Sequence, residues 1–315
     1  MIYQITLISI TISFILMIIT VIIRVAFLTL FERKVLRYIQ LRKGPNKISF
    51  KGLIQPFRDI MKLISKEILY INSNKIFYYR PIIIFIVSSA LWINYPWIFV
   101  NIRISYSIIL LLFIIRINVY PILVVRWVSK NNYSMLGIIR AISQIISFEV
   151  IVYLIFFILI IISESFRLID VNNYQGKIMF SLLIYPSYVV FIVSILIDLN
   201  RVPFDLIEGE SELVSGFNIE YFRGLFTIIF LSEYINLLFI RTISVTIFFG
   251  IKVWTNTFVI LNLLTLTVLV MIRGVLARVR YDHLIYTCWI EMLVIILYYI
   301  IYLYLVKEIN IIINM

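Results

Sequence analysis

The chain has 315 residues, 63% of them hydrophobic and only 14% charged, with a mean hydropathy of +1.07 and a formal net charge of +12. A soluble domain carries about 25% charged and 45–50% apolar residues, so a water-soluble enzyme is excluded and a polytopic membrane protein is expected. A single cysteine (Cys288) and a single histidine (His283) exclude a bis-histidine haem, a four-cysteine cluster or zinc site, and an internal disulfide.

None of the nine glycines falls in a dinucleotide-binding or Walker spacing. Any redox or nucleotide chemistry therefore belongs to partners. The 70 isoleucines against 4 alanines point to an AT-biased genome, such as an organellar one, because Ile can replace Ala, Val and Leu at lipid-facing positions with little physical consequence.

Apolar runs of about 20 residues, the length that crosses a bilayer, predict eight spans. They cover roughly 3–30, 81–100, 104–128, 135–163, 178–199, 223–242, 254–275 and 283–306. The first is too long for a signal-peptide core and lacks a small-residue cleavage pattern, so it reads as a retained span. No linker or internal repeat divides the chain, and residues 1–315 are expected to form a single all-α membrane domain.

Between spans one and two lies the only long polar segment, 32–80. Within it, Leu53, Phe57, Ile60, Met61 and Ile64 share one face at helical spacing, with Arg58, Asp59, Lys62 and Lys66 around the other. Pro56 suits a first helical turn, where a missing N–H costs nothing. An amphipathic helix lying along the membrane interface is predicted.

Lys and Arg placement sets the orientation. Loops after spans one, three, five and seven hold 20 basic residues and the opposite side holds 6: Arg103, Arg167, Lys177, Arg241, Lys252 and Lys307. Arg24 and Arg116 fall inside spans. Both termini are expected to face away from the positive compartment, and this topology accounts for the net charge without a nucleic-acid role.

Six acids crowd between 198 and 220: Asp198, Asp205, Glu208, Glu210, Glu212 and Glu220. This acidic loop, 198–222, follows span five. Carboxylates this close cannot all ionise cheaply and titrate as a coupled set, which suits a proton relay; a solvated loop neutralising nearby arginines is the competing reading. Glu149 and Glu233 lie within apolar runs. A carboxylate at the bilayer centre costs about 2.5–3.5 kcal/mol on insertion scales and usually faces a cavity in the service of ion or proton movement. An intramembrane ion pair with Arg116 or Arg140 is the structural alternative. His283 and Cys288 read as interfacial and packing residues.

Several blocks taken in order resemble the chain 1 family of NADH-ubiquinone oxidoreductase, respiratory complex I. They are Phe31-Glu32-Arg33-Lys34, Leu41-Arg42-Lys43-Gly44-Pro45-Asn46, Gln55-Pro56-Phe57 with Asp59, Lys62-Leu63 and Lys66-Glu67 in the first loop. Ser143-Gln144 with Glu149, Arg201-Val-Pro-Phe-Asp-Leu206, the acidic run from Glu208 to Tyr221, and Arg278-Val-Arg-Tyr-Asp-His-Leu284 follow.

The resemblance implies a membrane subunit between a peripheral redox arm and antiporter-like proton-pumping subunits, in the mitochondrial inner membrane with its positive loops on the matrix side. It implies a ubiquinone access tunnel built from the first span, the interfacial helix and the sixth span, with Arg33, Phe57 and Arg273 near that route. It further implies a proton path through Glu149, Asp205, Glu208, Glu210, Glu212, Glu220 and Glu233. In that family ubiquinone is the substrate, and NADH, flavin and iron–sulfur sites belong to other subunits; no metal is expected on this chain.

The chain departs from the family pattern at Arg37, Arg58, Ala277 and Ile290, which bears on the shape of the last loop and its contact with the peripheral arm. A stand-alone ion- or proton-coupled transporter is the alternative of another class. Against it stand the absence of paired Gly/Pro-interrupted spans and the long basic-aromatic first loop.

Overall fold

Helices account for the regular structure of the computed structural model, which describes residues 2–48, 50–66, 75–95, 105–128, 132–176, 178–198, 200, 202–205, 221 and 223–314. Among these residues there is no strand. In chain order the helices are α1 (Ile2–Ile39), α2 (Gln55–Ile64), α3 (Lys75–Leu91), α4 (Ser107–Ile117), α5 (Val119–Val128), α6 (Asn132–Ser163) and α7 (Leu168–Tyr174). After them come α8 (Phe180–Leu183), α9 (Tyr185–Asp198), α10 (Arg223–Phe249), α11 (Asn256–Val275), α12 (Tyr281–Tyr286) and α13 (Leu293–Asn314). A π-helical turn, Thr287–Met292, joins α12 to α13 so that they run as one rod.

Six helical stretches are long and apolar enough to cross a membrane, and two shorter apolar helices, Tyr78–Asn94 and Tyr185–Asp198, stand where the second and fifth spans are predicted. The predicted sixth span is too short: expected to end at 242, α10 continues to Phe249. Arg241 is thereby buried inside a helix and not in a loop. The fifth begins with the short α8 and breaks at Ile184, just ahead of Pro186. The third is broken too. Pro121 has no N–H for the Ile117 carbonyl and its ring displaces that carbonyl, so the rod turns at Asn118, whose N–H reaches back to Ile115 O at 3.2 Å.

Small and polar side chains are buried inside the bundle beside large apolar ones. In lipid, large apolar side chains gain nothing by turning inward, and close helix packing selects small and polar ones. On α6 the inward face carries Ser134, Ala141, Gln144 and Ser147 together with Ile138, Phe148, Ile151 and Phe156, while Leu136, Ile139, Ile146 and Phe157 point outward. On α10, Ser232, Thr242, Ser244 and Thr246 are buried and return their hydroxyl hydrogens to carbonyls three residues back. None of these four hydroxyls is left as an orphaned donor in an apolar setting.

The central helix is α10. It packs against α3, α1, α11 and α2, whereas α6 organises a second group with α5, α9 and α13. Phe239 and Phe248 of α10 meet Trp92 and Phe191 across the seam. These two groups meet around the candidate site.

The amphipathic helix is present as α2, Gln55–Ile64, with Pro56 at its start. Its apolar face, Phe57, Met61 and Ile64, is exposed, as is Leu53 in the turn before it. Gly52, in a left-handed conformation, precedes it; a Cβ there would fall 2.2 Å from Pro45 O, so the turn ahead of α2 accepts only glycine.

Candidate functional site

Two groups of charged residues lie within the bundle. The first joins α1, α2, α10 and α11 near the basic first loop. Glu32, nearly the last turn of α1, is buried. Arg273 near the end of α11 donates from Nη1 to its Oε1, and the Tyr234 hydroxyl of α10 donates to its Oε2 at 2.5 Å. Both carboxylate oxygens are thus satisfied, the condition under which a buried charge is tolerated. Gly274 permits this approach: a Cβ on it would meet Ile39 Cδ1 at 2.5 Å and Leu36 Cδ2 at 3.3 Å.

One residue along, Arg33 pairs with Asp59 of α2 at 2.5 Å, and Gln55 Nε2 donates to the other Asp59 oxygen at 2.8 Å. Phe27 and Phe57 meet edge to face with centroids 6.1 Å apart. The three residues expected near a quinone route, Arg33, Phe57 and Arg273, are therefore brought to one junction. Of the residues that hold that junction together, Glu32 and Asp59 were named from the sequence only as parts of the first-loop blocks, and Tyr234 was not named at all. The available signal was a carboxylate at a membrane boundary immediately before two basic residues.

The second group surrounds a cavity of about 40 Å³ between α4, α6, α9 and α10. Its walls are apolar apart from Glu149, Asp198, Tyr153 and Ser194. That volume is roomy enough to hold water, one molecule of which needs about 10–15 Å³ of such space. Glu149 is buried and its Oε1 has no hydrogen-bond partner. Sequence grouped Asp198 with the acidic loop; the structure faces it instead onto the cavity of Glu149, as the last residue of α9.

Among the described residues Glu149 takes part in no ion pair. Arg140 lies over the Tyr281 ring, 5.8 Å from its centroid. Arg116 lies over Tyr153 at 5.9 Å, close enough to act on Glu149 electrostatically, but it is not among the ion pairs of the described residues. Asn118, at the break between α4 and α5, also has a buried Oδ1 without a partner.

Gln144, one turn before Ser147 on α6, donates to Ile197 O at 3.1 Å and Asn200 Oδ1 at 3.2 Å, tying α6 to the end of α9. Beyond that end, Asp205 pairs with Arg278 at 3.3 Å, and Val279 N–H donates to Pro203 O at 3.0 Å. The last loop thereby grips the start of the acidic one. Ser143 and Tyr281 hydrogen-bond through their hydroxyls beside it.

Glu233 is half-buried on α10 and does not line the cavity. Glu208, Glu210, Glu212 and Glu220 lie outside the described residues, as does most of the 198–222 loop. Among the described residues no three His, Cys, Asp or Glu side chains group to hold a metal.

A sequence model of the NADH dehydrogenase family matches residues 12–304. NADH-ubiquinone oxidoreductase chain 1 of Apis mellifera ligustica is 47% identical over 297 residues, covering 94% of this chain and 97% of the relative. The proteins of the same name from Aedes aegypti, 42% identical over 87% of this chain and 88% of the relative, and Papio hamadryas, 38% identical over 89% and 91%, are similar along nearly the same length. With a match across both charged groups and every long helix, the chain belongs to the NADH dehydrogenase family.

Proposed function

We propose that this chain is a membrane subunit of a proton-pumping NADH:ubiquinone oxidoreductase, crossing the mitochondrial inner membrane eight times with its basic loops on the matrix side. In this reading it lines part of the ubiquinone access path and carries protons between carboxylates. NADH oxidation and electron transfer to the quinone are the work of other subunits of the complex.

The observation that carries the proton role is the shared cavity of Glu149 and Asp198. Two carboxylates from different helices face one water-sized space with almost nothing polar beside them. A proton can be held by either group or by a water between them, and the pair then titrates as a unit. Asp205, Glu233 and the loop acids Glu208, Glu210, Glu212 and Glu220 complete the proposed path at the positive side.

The quinone role is supported by the junction of α1, α2, α10 and α11. The exposed apolar face of α2 gives an isoprenoid tail a surface that costs it little relative to lipid, since both are apolar. Arg33 and Arg273 stand at the inner end, each already paired with a carboxylate. Such pairs hold the charged groups in place without presenting a bare cation to an apolar tail.

Glu149→Gln tests the proposal. The complex is expected to assemble normally while coupled NADH:ubiquinone turnover and proton translocation fall on the order of tenfold or more, the scale of removing one proton-transfer group. Unchanged turnover and pumping in an assembled complex would contradict the proton role.

A further inference from the structure

The last rod of the bundle, α12 through α13, is buried along a single edge. Leu284, Cys288 and Ile296 turn inward, the rod packing on α6 and α9, and the Tyr299 hydroxyl donates to Leu183 O at 3.0 Å. The rest of the rod faces away from the chain. Glu291 is its only charged residue between His283 and Lys307, and it is exposed. It takes part in none of the ion pairs of the described residues. It also sits in the π turn Thr287–Met292, a rare form of helix that recurs at functional sites.

Depth decides what this exposure means. Glu291 lies eight residues after His283 and sixteen before Lys307, or about 12 and 24 Å along the rod at 1.5 Å per residue. A carboxylate that far into lipid is costly, and its stem is too short to carry it to the headgroups as the stems of Lys and Arg do. Seven residues on and on the same face, Tyr298 is 71% exposed, with no hydrogen bond to its hydroxyl among the described residues. Tyrosines that face lipid gather at the two membrane surfaces, whereas this one lies about 22 Å from His283 and 14 Å from Lys307 on the same scale. Val294, Ile295, Tyr302 and Leu305 complete the exposed face around the two polar groups.

We propose that this face docks a transmembrane helix of another subunit, one that places a lysine or arginine against Glu291. The proposal rests on the reading of the chain as a subunit of a larger membrane complex. Lipid would serve a purely apolar face, because acyl tails are as apolar as any helix. It serves neither the carboxylate nor the mid-membrane phenol. A helix carrying a cation and, seven positions along, a hydrogen-bonding side chain such as Ser, Thr or Asn satisfies both. Seven residues are two turns, so the two contacts fall on one seam between helices crossing at the small angle common in membranes.

The test compares Glu291→Asp, Glu291→Gln and Glu291→Lys in the complex and in the isolated chain. On native gels in mild detergent, the lysine variant is expected to lower the share of chain in the assembled complex about tenfold, because like charges across an interface repel. Glutamine should lower it less, and aspartate should keep most of it. The isolated chains are expected to unfold at the wild-type temperature. Incorporation of the lysine variant at the wild-type level overturns the proposal. So does an isolated lysine variant that melts lower than wild type, which would place the role of Glu291 inside the chain. A density map of the wild-type complex is expected to show a Lys or Arg nitrogen within about 4 Å of the Glu291 carboxylate; lipid, a helix without a cation or a second copy of this chain on that face overturns the proposal. A wild-type chain that migrates alone overturns the subunit reading and the docked helix with it.

Discussion

Glu32 and Arg273 stand 241 positions apart in the chain and form an ion pair inside the bundle, with the Tyr234 hydroxyl on the second carboxylate oxygen. One side chain therefore fixes α1, α10 and α11 relative to each other. Glu32→Gln keeps the shape but leaves the Arg273 guanidinium without its counter-charge. Loss of a charge-assisted hydrogen bond of this kind is expected to cost about 2 kcal/mol, seen as a lower melting temperature of the purified complex. Adding Arg273→Met removes the stranded cation and is expected to restore part of that loss. A double variant that melts no higher than Glu32→Gln would show that the pair is not the source of the effect.

Asp198 and Glu149 are expected to behave as one unit, because they share a cavity and almost nothing else polar lines it. Asp198→Asn should lower coupled proton translocation to a similar degree as Glu149→Gln. Groups acting in one step are non-additive, so the double variant should be little worse than either single one. Pumping measured in proteoliposomes decides this, and fully additive losses would separate the two carboxylates into independent roles.

Much of this arrangement could be read from the residues, and the reasons for the misses are physical. Apolar run length located the long helices because a bilayer imposes one length on all of them. Glu149 stood out because a carboxylate inside an apolar run is costly. Asp198 was assigned to the loop because it ends its run, and a one-dimensional pattern cannot say whether a terminal residue turns outward or back into the bundle.

Arg241 was assigned to a loop for a related reason: the Ser and Thr of α10 after it look polar, yet each bonds to its own helix and the helix continues. The junction at Glu32 was invisible as a junction. Its three members come from helices far apart in sequence, and only packing brings them together.

Gly274 is where α1 and α11 come closest, and the space is taken by the end of a flexible side chain, Ile39 Cδ1 at 2.5 Å from a Cβ built on the glycine. Gly274→Ala is therefore expected to cost about 1 kcal/mol and Gly274→Val toward about 3 kcal/mol, the range for overpacking. Ile39→Ala in the same chain should relieve the alanine variant. Thermal unfolding in detergent measures both, and a Gly274→Ala chain as stable as wild type would show that α1 moves aside freely.

Lys307 and Glu164 join the far end of α13 to the loop after α6, with Nζ and Oε1 2.5 Å apart and Lys307 also donating to Ile161 O at 3.2 Å. The hydrogen bond from Lys307, and then its charge, hold the Glu164 carboxyl below its ordinary value of 4.5. A carboxyl with a lowered folded-state pKa contributes stability above its unfolded pKa and loses it as pH falls through the folded one. The contribution is thus fully present at neutral pH and fades only below 4.5. Both groups are solvent-accessible, so the effect is small and weakened by salt. Glu164→Gln should melt slightly below wild type at pH 7 in low salt, and the gap should close as the pH is lowered under 4.5. A gap that widens on acidification would mean that Glu164 is stabilised by something other than Lys307.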